Sequence, residues 1–185
     1  MEVLQAIHHR KSVGKVKPDP LPRDVIERLL DAAVQAPNHH KVRPWRFIVI
    51  SGTARNRLGD IMAESLRQRK PETPDEGFTV ERAKALRSPV IIAVGVDKPS
   101  EAKVVEIENI CAAAAAAQNL LLAAVGLGLA AMWRTGPAAT DPATKAFVGL
   151  QADQHIIGFI YLGYPKSEWP VPERPGFEDR TVWLE

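Results

Sequence analysis

The stretch PLPRDVIERLLDAAVQAPNHHKVRPWRFIVI, residues 20–50, contains a helix, a polar loop and a strand in immediate succession. The helix is predicted to start at Pro22, because proline suits the first turn of a helix, and to end before Pro37, because the residue that precedes a proline is pushed out of the helical region. The core face of this helix has apolar residues at helical spacing: Val25, Ile26, Leu29, Leu30 and Ala33. The segment WRFIVIS after the loop is rich in β-branched and aromatic residues, and we expect a buried strand there.

The remainder of the chain continues the mixture of helices and strands. A short helix ends near Arg10, and helical patterns cover Ala54–Arg69 and Thr79–Arg87. Between these two patterns, KPETPDEG is rich in proline and charge and is predicted to be a mobile surface loop. Three more strands are predicted from SPVIIAVGVD, LAAMWRT and HIIGFIYLGY, and the first is apolar enough to be covered on both faces. With a long helix from about Lys103 to Val125, this order indicates an α+β fold with a mixed sheet.

Size and charge narrow the class of protein. The chain has 185 residues, of which 45% are hydrophobic and 25% are charged. Domains typically run to ~100–200 residues, and neither an internal repeat nor a linker divides this chain. Lys and Arg total 24 against 22 Asp and Glu, so the strong basic excess of a nucleic-acid-binding protein is missing. We therefore expect a single domain over residues 1–185 that binds no nucleic acid.

Cysteine content and hydropathy favour the cytoplasm. Cys111 is the only cysteine, so no disulfide can form within the chain. The N-terminal residues MEVLQAIHHRKS lack the apolar core of a secretory signal, and no apolar run approaches the ~20 residues that a membrane span needs. We expect a cytoplasmic protein without a membrane segment.

Six consecutive alanines, Ala112–Ala117, lie in the middle of the longest predicted helix. Alanine has the highest helix propensity, so the run is typical of a well-formed buried helix. Small side chains would also let a second helix, from the same chain or from a twofold-related copy, approach closely. The sequence favours the first interpretation and leaves the second open.

The common catalytic motifs are missing from the chain. Four of the five histidines form the adjacent pairs His8-His9 and His39-His40, whose side chains should diverge, and no metal-binding framework accompanies them. We therefore predict no metal site. Gly126-Leu127-Gly128 follows a helix and precedes a strand, which indicates a helix stop rather than part of a dinucleotide fingerprint. Cys111 lies in an apolar helix without an evident basic partner and is expected to be inert.

Two short polar segments stand at the ends of predicted elements. Arg10-Lys11-Ser12 places two cations and a hydroxyl at a helix end, where they could bind a phosphate or merely complement the helix dipole. Trp133-Arg134-Thr135 ends an otherwise apolar strand, a place where ligand-binding groups are common, although any strand must end somewhere. Taken alone, each segment favours the structural interpretation.

In their order along the chain, these segments resemble the nitroreductase family, in particular its small single-domain NAD(P)H nitroreductases. The resemblance covers nearly the whole chain and rests on four segments at family-like spacing: RKS at 10–12, the stretch at 20–50, GLGLAAMWRTG at 126–136 and GFIYLGYP at 158–165. It implies a nitroreductase-like fold with a central mixed β-sheet surrounded by helices. It also implies an interlocked homodimer that binds FMN at the subunit interface.

The resemblance implies residues that bind the phosphate end of the flavin. Arg10, Lys11 and Ser12 match the family's N-terminal basic pair and serine, which contact the phosphate and the ribityl chain. Arg174 would align with a basic residue near the family's C-terminus. Gly14 stands where larger members have a basic residue, so the cluster has one cation fewer.

Further residues are implied around the flavin ring. Gln35 and His39 would reach it from the partner subunit, while Trp133, Arg134 and Thr135 would border it, with main-chain donors near its redox-active nitrogen. Lys41 and Arg43 stand where many members have Asn and Gln, so their roles are not carried over.

A bound cofactor can explain catalysis without a metal, a nucleophile or an acid–base pair. We therefore expect an FMN-dependent oxidoreductase without catalytic side chains of its own. It would take a hydride from NAD(P)H and pass electrons to a nitroaromatic, a quinone or a similar acceptor. One alternative is a non-catalytic FMN-binding dimer that serves as a flavin store or a redox-responsive interaction protein. Dehalogenating and flavin-fragmenting relatives are a second alternative, although their extra substrate-covering segments are not evident here.

Overall fold

Single strands are separated by one or two helices along the chain, and the computed structural model describes all of residues 1–185. The helices are α1 (Val3–His9), α2 (Arg23–Ala33), α3 (Ala54–Arg69), α4 (Asp75–Ala83), α5 (Glu106–Gly126), α6 (Pro137–Thr140) and α7 (Pro142–Phe147). The strands are β1 (Trp45–Ser51), β2 (Val90–Val96), β3 (Ala130–Arg134) and β4 (His155–Gly163). Single 3₁₀ turns occupy His39–Lys41, Lys84–Leu86 and Glu178–Arg180. The predicted α+β class is confirmed.

The four strands form one sheet in the order β1-β2-β4-β3. All three strand pairs are antiparallel: Val49 lies opposite Ile92, Ile92 opposite Ile160, and Met132 opposite Tyr161. The predicted mixed sheet is therefore wrong. Local patterns locate a strand, but its direction depends on how the intervening helices reverse the chain, which those patterns do not encode.

Apolar clusters cover both faces of this sheet. Ile92 and Val94 point to the face that packs against α2 and α5. Ile91 and Ala93 point to the other face, which packs against α3 and α6. Because neighbouring residues of a strand point to opposite faces, β2 must be apolar throughout, and all seven of its residues are buried. The prediction of a strand covered on both faces is confirmed.

Helix α5 fills the centre of the first face. Four of its alanines are fully packed in the core cluster, so the interpretation of the alanine run as a buried helix is confirmed: Ala112, Ala113, Ala116 and Ala117. The helix ends at Gly126, as predicted, and Gly128 has a φ of +70°, which glycine adopts without strain. By length and composition α5 could also cross a membrane, a test that the core helix of a folded domain can pass as well. In this fold the same apolar helix is the core helix of the domain.

Two surface elements differ from the sequence prediction. β1 lies at the edge of the sheet, so only Trp45 and Ile50 of its seven residues are buried, and the expectation of a buried strand is wrong. Helix α4 begins at Asp75, inside the segment predicted to be a loop. Asp75 and Glu76 occupy its first turn, where carboxylates interact favourably with the helix dipole. The single-domain organisation of residues 1–185 stays a prediction.

Candidate functional site

The Arg10–Ser12 segment lies beside the strand that carries the second predicted segment. After α1 the chain runs along β3, and the Val13 N–H donates to the Ala131 carbonyl over 2.9 Å. At Gly14, a Cβ would lie 3.1 Å from Met132 Cε and 3.7 Å from Arg134 Nη2, so the two segments are in close contact. The structure thus brings together residues 10–14 and the end of β3, which are more than a hundred positions apart in sequence.

Arg174 reaches the same place from the C-terminal segment. Its Nη2 donates to the Arg10 carbonyl, although 164 positions separate the two residues. Partial burial lowers the pKa of the Arg10 guanidinium, and the nearby positive charge of Arg174 lowers this pKa further. No carboxylate forms an ion pair with Arg10, Lys11 or Arg174. This cluster of cations without a neutralising acid suits an anion such as a phosphate.

The three residues at the end of β3 do not present their side chains together. Trp133 packs against the α5 face, and its Nε1 donates to the Ile157 carbonyl over 3.1 Å. Arg134 lies on the opposite face, with its Cζ 5.3 Å from the centre of the Tyr161 ring. Thr135 follows at the exposed end of the strand. A single ring cannot touch all three side chains, because neighbouring residues of a strand point to opposite faces.

The open edge of β3 offers main-chain groups instead. β3 is the last strand of the sheet, and the Ala131 carbonyl points away from β4 toward Val13. Main-chain groups of alternate residues point to the same side of a strand, so those of Trp133 and Thr135 also face this edge. The cation cluster of Arg10, Lys11 and Arg174 and the main-chain groups of Trp133 and Thr135 therefore lie along the same edge of the sheet.

Gln35 and His39 lie elsewhere in the chain. The Gln35 side chain donates to the Asp31 carbonyl over 3.3 Å, within its own helical segment. His39 is exposed in the loop after α2, and its ring meets the His40 ring edge-on with the centroids 4.0 Å apart. The expectation that these two histidines diverge is wrong. His40 has a φ of +53°, which turns its side chain in a direction that regular helix or strand geometry does not allow.

The loop that carries His39 is strained, a feature that the sequence did not reveal. His40, Lys41 and Arg43 have φ values of +53°, +56° and +51°, in the left-handed region that non-glycine residues rarely adopt. Asn38 stabilises this backbone conformation, because its Oδ1 accepts a hydrogen bond from the Arg43 N–H over 2.9 Å. Residues held in such conformations cost about 1–3 kcal/mol each and cluster at ligand-binding sites. No hydrogen bond or ion pair joins this loop to Arg10 or Trp133 within one chain.

A polar network at the start of α5 was also missed, because its members come from three separate elements. The Glu106 carboxylate accepts from Lys98 Nζ over 2.6 Å and contacts His155 Nε2 over 2.7 Å. The hydrogen bond from Lys98, followed by that from His155, lowers the pKa of Glu106. Nearby, Asp97 accepts from Arg46 and Gln154. Since these charges neutralise one another, the network fixes α5 against the ends of β2 and β4 rather than forming a ligand site.

The sequence model of the nitroreductase family matches residues 7–164 of this chain. The chain belongs to the nitroreductase family. The match includes Arg10–Ser12 and Trp133–Thr135, whereas Arg174 lies beyond it. Membership in this family supports an oxidoreductase of the FMN type.

Known proteins similar to this chain agree in fold and name. YfhC of Bacillus subtilis (strain 168), named provisionally as an NAD(P)H nitroreductase, is 30% identical over 175 residues, which cover 94% of this chain and 90% of YfhC. The crystal structure of a nitroreductase-like family protein from Bacillus cereus superimposes with a TM-score of 0.87, at 24% identity, over 100% of this chain and 97% of that one. The nitroreductase-like fold is thus confirmed.

A flavin-bound structure is also among the similar proteins. This crystal structure shows a provisionally named nitroreductase from Desulfovibrio desulfuricans in complex with FMN. That protein is 27% identical to this chain. The TM-score is 0.75, with 100% of this chain and 97% of that chain covered. This similarity supports the choice of FMN as the cofactor.

Proposed function

We propose that this protein is an FMN-dependent oxidoreductase that takes a hydride from NAD(P)H and passes electrons to a nitroaromatic, a quinone or a similar acceptor. The observation that carries the proposal is the unneutralised cation cluster in which Arg174 meets Arg10 beside β3. The nitroreductase family and the FMN-bound relative support the flavin chemistry. The name of YfhC supports NAD(P)H as the donor.

The cation cluster would hold the phosphate of FMN. Arg10 and Arg174 can bind phosphate oxygens through charge-assisted hydrogen bonds, and Lys11 adds a third positive charge. The hydroxyl of Ser12 is exposed on the same segment and can donate to the phosphate or the ribityl chain. A bound anion would offset the partial burial and the repulsion from Arg174 that together lower the pKa of Arg10. Because the sequence has no motif for an adenosine half, FMN fits this site better than FAD.

The open edge of β3 would position the flavin ring. The Trp133 side chain is held by the Ile157 carbonyl and by close contact with Gly158, so this end of the strand is rigid. Main-chain groups of Trp133 and Thr135 face the edge, where they can bind the polar side of the ring. FMN, when bound, supplies the hydride and electron transfer, so the chain has to supply only binding and orientation. We accordingly assign no side chain as an acid, base or nucleophile.

The second subunit of a homodimer would complete each site. Apolar residues of α1 that a single chain should bury are exposed instead: Val3 and Leu4 are each 71% exposed. Ile107 and Cys111 are exposed one turn apart on α5. These two exposed faces suit contact with a second copy of the chain. That copy would bring Gln35 and His39, with the strained loop, to the flavin of its partner.

Visible spectroscopy tests the proposed function. Purified protein should be yellow, and heat should release FMN, identified by chromatography. Under anaerobic conditions NADH or NADPH should bleach the flavin, and a nitroaromatic or quinone should restore the colour. Recovery of FAD alone would contradict the cofactor assignment. A yellow protein that neither nucleotide bleaches would instead favour the non-catalytic FMN-binding dimer.

A further inference from the structure

A cavity of about 130 Å³ lies beneath the sheet, on the face opposite Trp133. It is enclosed by α3, α4 with its following turn, the end of β3, α6 and β4, and we call it the β3–α6 cavity. Five of its ten lining residues are apolar: Leu58, Met62, Pro137, Ala138 and Phe159. Three of these side chains, those of Leu58, Met62 and Phe159, belong to the second core cluster, so the cavity has a rigid floor.

One charged group in this cavity has no partner. Lys84 and Glu81 also line it, but they form an ion pair with each other. Arg134 forms neither an ion pair nor a side-chain hydrogen bond, and its guanidinium carbon lies 5.3 Å from the centre of the Tyr161 ring. The planar fork of an arginine matches the two oxygens of a carboxylate. The cavity therefore has a free positive charge at one end of an apolar space.

The phenol of Tyr161 lies next to that charge. Tyr161 is 6% exposed, yet its hydroxyl makes no hydrogen bond within the chain. The hydroxyl oxygen itself is not fully buried, so a molecule in the cavity can reach it. Burial raises the pKa of Tyr161, while the positive charges of Arg134 and Arg87 oppose this rise. The phenol is thus protonated at neutral pH and can donate to an anion.

We propose that the β3–α6 cavity binds a small carboxylate with a short apolar body. The carboxylate would pair with Arg134 and accept from the Tyr161 hydroxyl, while the apolar body would lie on Leu58, Met62 and Phe159. An apolar cavity of about 150 Å³ can hold a benzene ring, so this one has room for a short alkyl chain or a small ring. The site lies on the face of the sheet opposite Trp133 and meets the proposed flavin edge only at Thr135, which also lines the cavity.

Methyl NMR tests this site on the intact, FMN-loaded protein. The chain has three methionines, Met1, Met62 and Met132, and only Met62 lines the cavity. Protein labelled with [¹³C-methyl]methionine would be titrated with butyrate. The Met62 resonance should shift in a saturable manner, whereas that of Met1 should not move. Butyramide, which is neutral and has the same shape, should bind at least about tenfold more weakly, the scale of a hydrogen bond to a charged group.

Two variants assign the polar contacts. Arg134→Gln should weaken butyrate binding by about tenfold or more, and Tyr161→Phe should weaken it by a smaller factor. Arg57→Gln is the matched control, because Arg57 also lies 5.3 Å over an aromatic ring, that of Phe147, but does not line the cavity. An unmoved Met62 resonance, an equal response to butyramide, or affinities unchanged in both cavity variants would overturn the proposal. The readout does not depend on NAD(P)H oxidation, so it stands apart from the proposed function.

Discussion

Arg10 and Arg174 meet only because the C-terminal segment returns to the end of α1. Both residues can be found in the sequence, and family resemblance suggests a role for each. However, no periodicity connects an irregular tail with a helix 164 positions earlier. Their contact and their lack of a carboxylate partner are results of the tertiary structure, and these two facts support the proposal that an anion binds here.

Replacing Arg10 with Ala should weaken FMN binding by ~1.5–3 kcal/mol, the scale of a hydrogen bond to a charged group. The dissociation constant should rise roughly tenfold or more, because the phosphate loses one of its charged donors. Fluorescence titration of the apoprotein with FMN would measure it. Arg23→Ala is the control, since Arg23 is exposed on α2 and pairs only with Glu27. Equal affinities of the Arg10 variant and the control would place the phosphate elsewhere.

Gly158 is a second position where a single added carbon atom should lower the stability of the fold. A Cβ at this residue would lie 2.0 Å from Trp133 Nε1, far inside van der Waals contact. Gly158→Ala should therefore displace the indole, break its hydrogen bond to Ile157 and lower the free energy of unfolding by about 1–3 kcal/mol. Gly126→Ala is the matched control, because nothing lies within 4 Å of a Cβ there. Urea unfolding should separate the two variants, and indistinguishable midpoints would show that Trp133 moves freely.

At the scale of elements, the sequence predicted where helices and strands lie better than it predicted the direction of the strands or the strained backbone of the loop after α2. β2 was predictable because all seven of its residues are apolar, and α5 because its apolar residues recur over six turns. The antiparallel direction of the strands was not predictable, since helices separate them in the chain. The left-handed residues of the loop after α2 were missed as well, because lysine and arginine do not mark such a conformation and histidine, although enriched in it, usually adopts others.

The network around Glu106 gives a pH prediction for the start of α5. In the folded protein, hydrogen bonds from Lys98 and then from His155 lower the pKa of the Glu106 carboxyl. The carboxylate therefore contributes its full stability above the pKa that it has in the unfolded chain. This contribution is lost as the pH falls through the pKa of the folded state. Wild type should be more stable than Glu106→Gln at about pH 7, and the difference should shrink between about pH 5 and pH 3. Urea midpoints at several pH values would measure this difference.

Glu64→Gln is the control for this experiment. Glu64 pairs with Arg67 one turn along the surface of α3, and exposed pairs of this kind contribute little. Its variant should therefore follow wild type across the pH range. A Glu106→Gln difference that stays constant with pH would mean that the ion pairs with Lys98 and His155 do not hold α5.

At the scale of the whole molecule, one chain leaves the proposed site incomplete. The cation cluster and the edge of β3 lie together, but Gln35 and His39 are not joined to them within the chain. The exposed apolar residues of α1 and α5 also lack a partner. Both observations have the same explanation if two chains form an obligate dimer that buries at least ~2,000 Å² in total. A stable flavin-bound monomer should then not exist.

Subunit mixing tests whether each site is shared. Arg10→Ala and His39→Ala, each impaired in FMN binding, would be unfolded and refolded together. If His39 reaches the flavin held by the partner's cation cluster, one of the two sites in a heterodimer regains both wild-type groups, whereas the other carries both substitutions. FMN binding should return to about half of the sites in those heterodimers, measured after separating them by differently charged tags. Homodimers of each variant, refolded alone, provide the baseline. No recovery in confirmed heterodimers would mean that Arg10 and His39 act on the same flavin from one chain, or that His39 does not reach it, and the shared site would be abandoned.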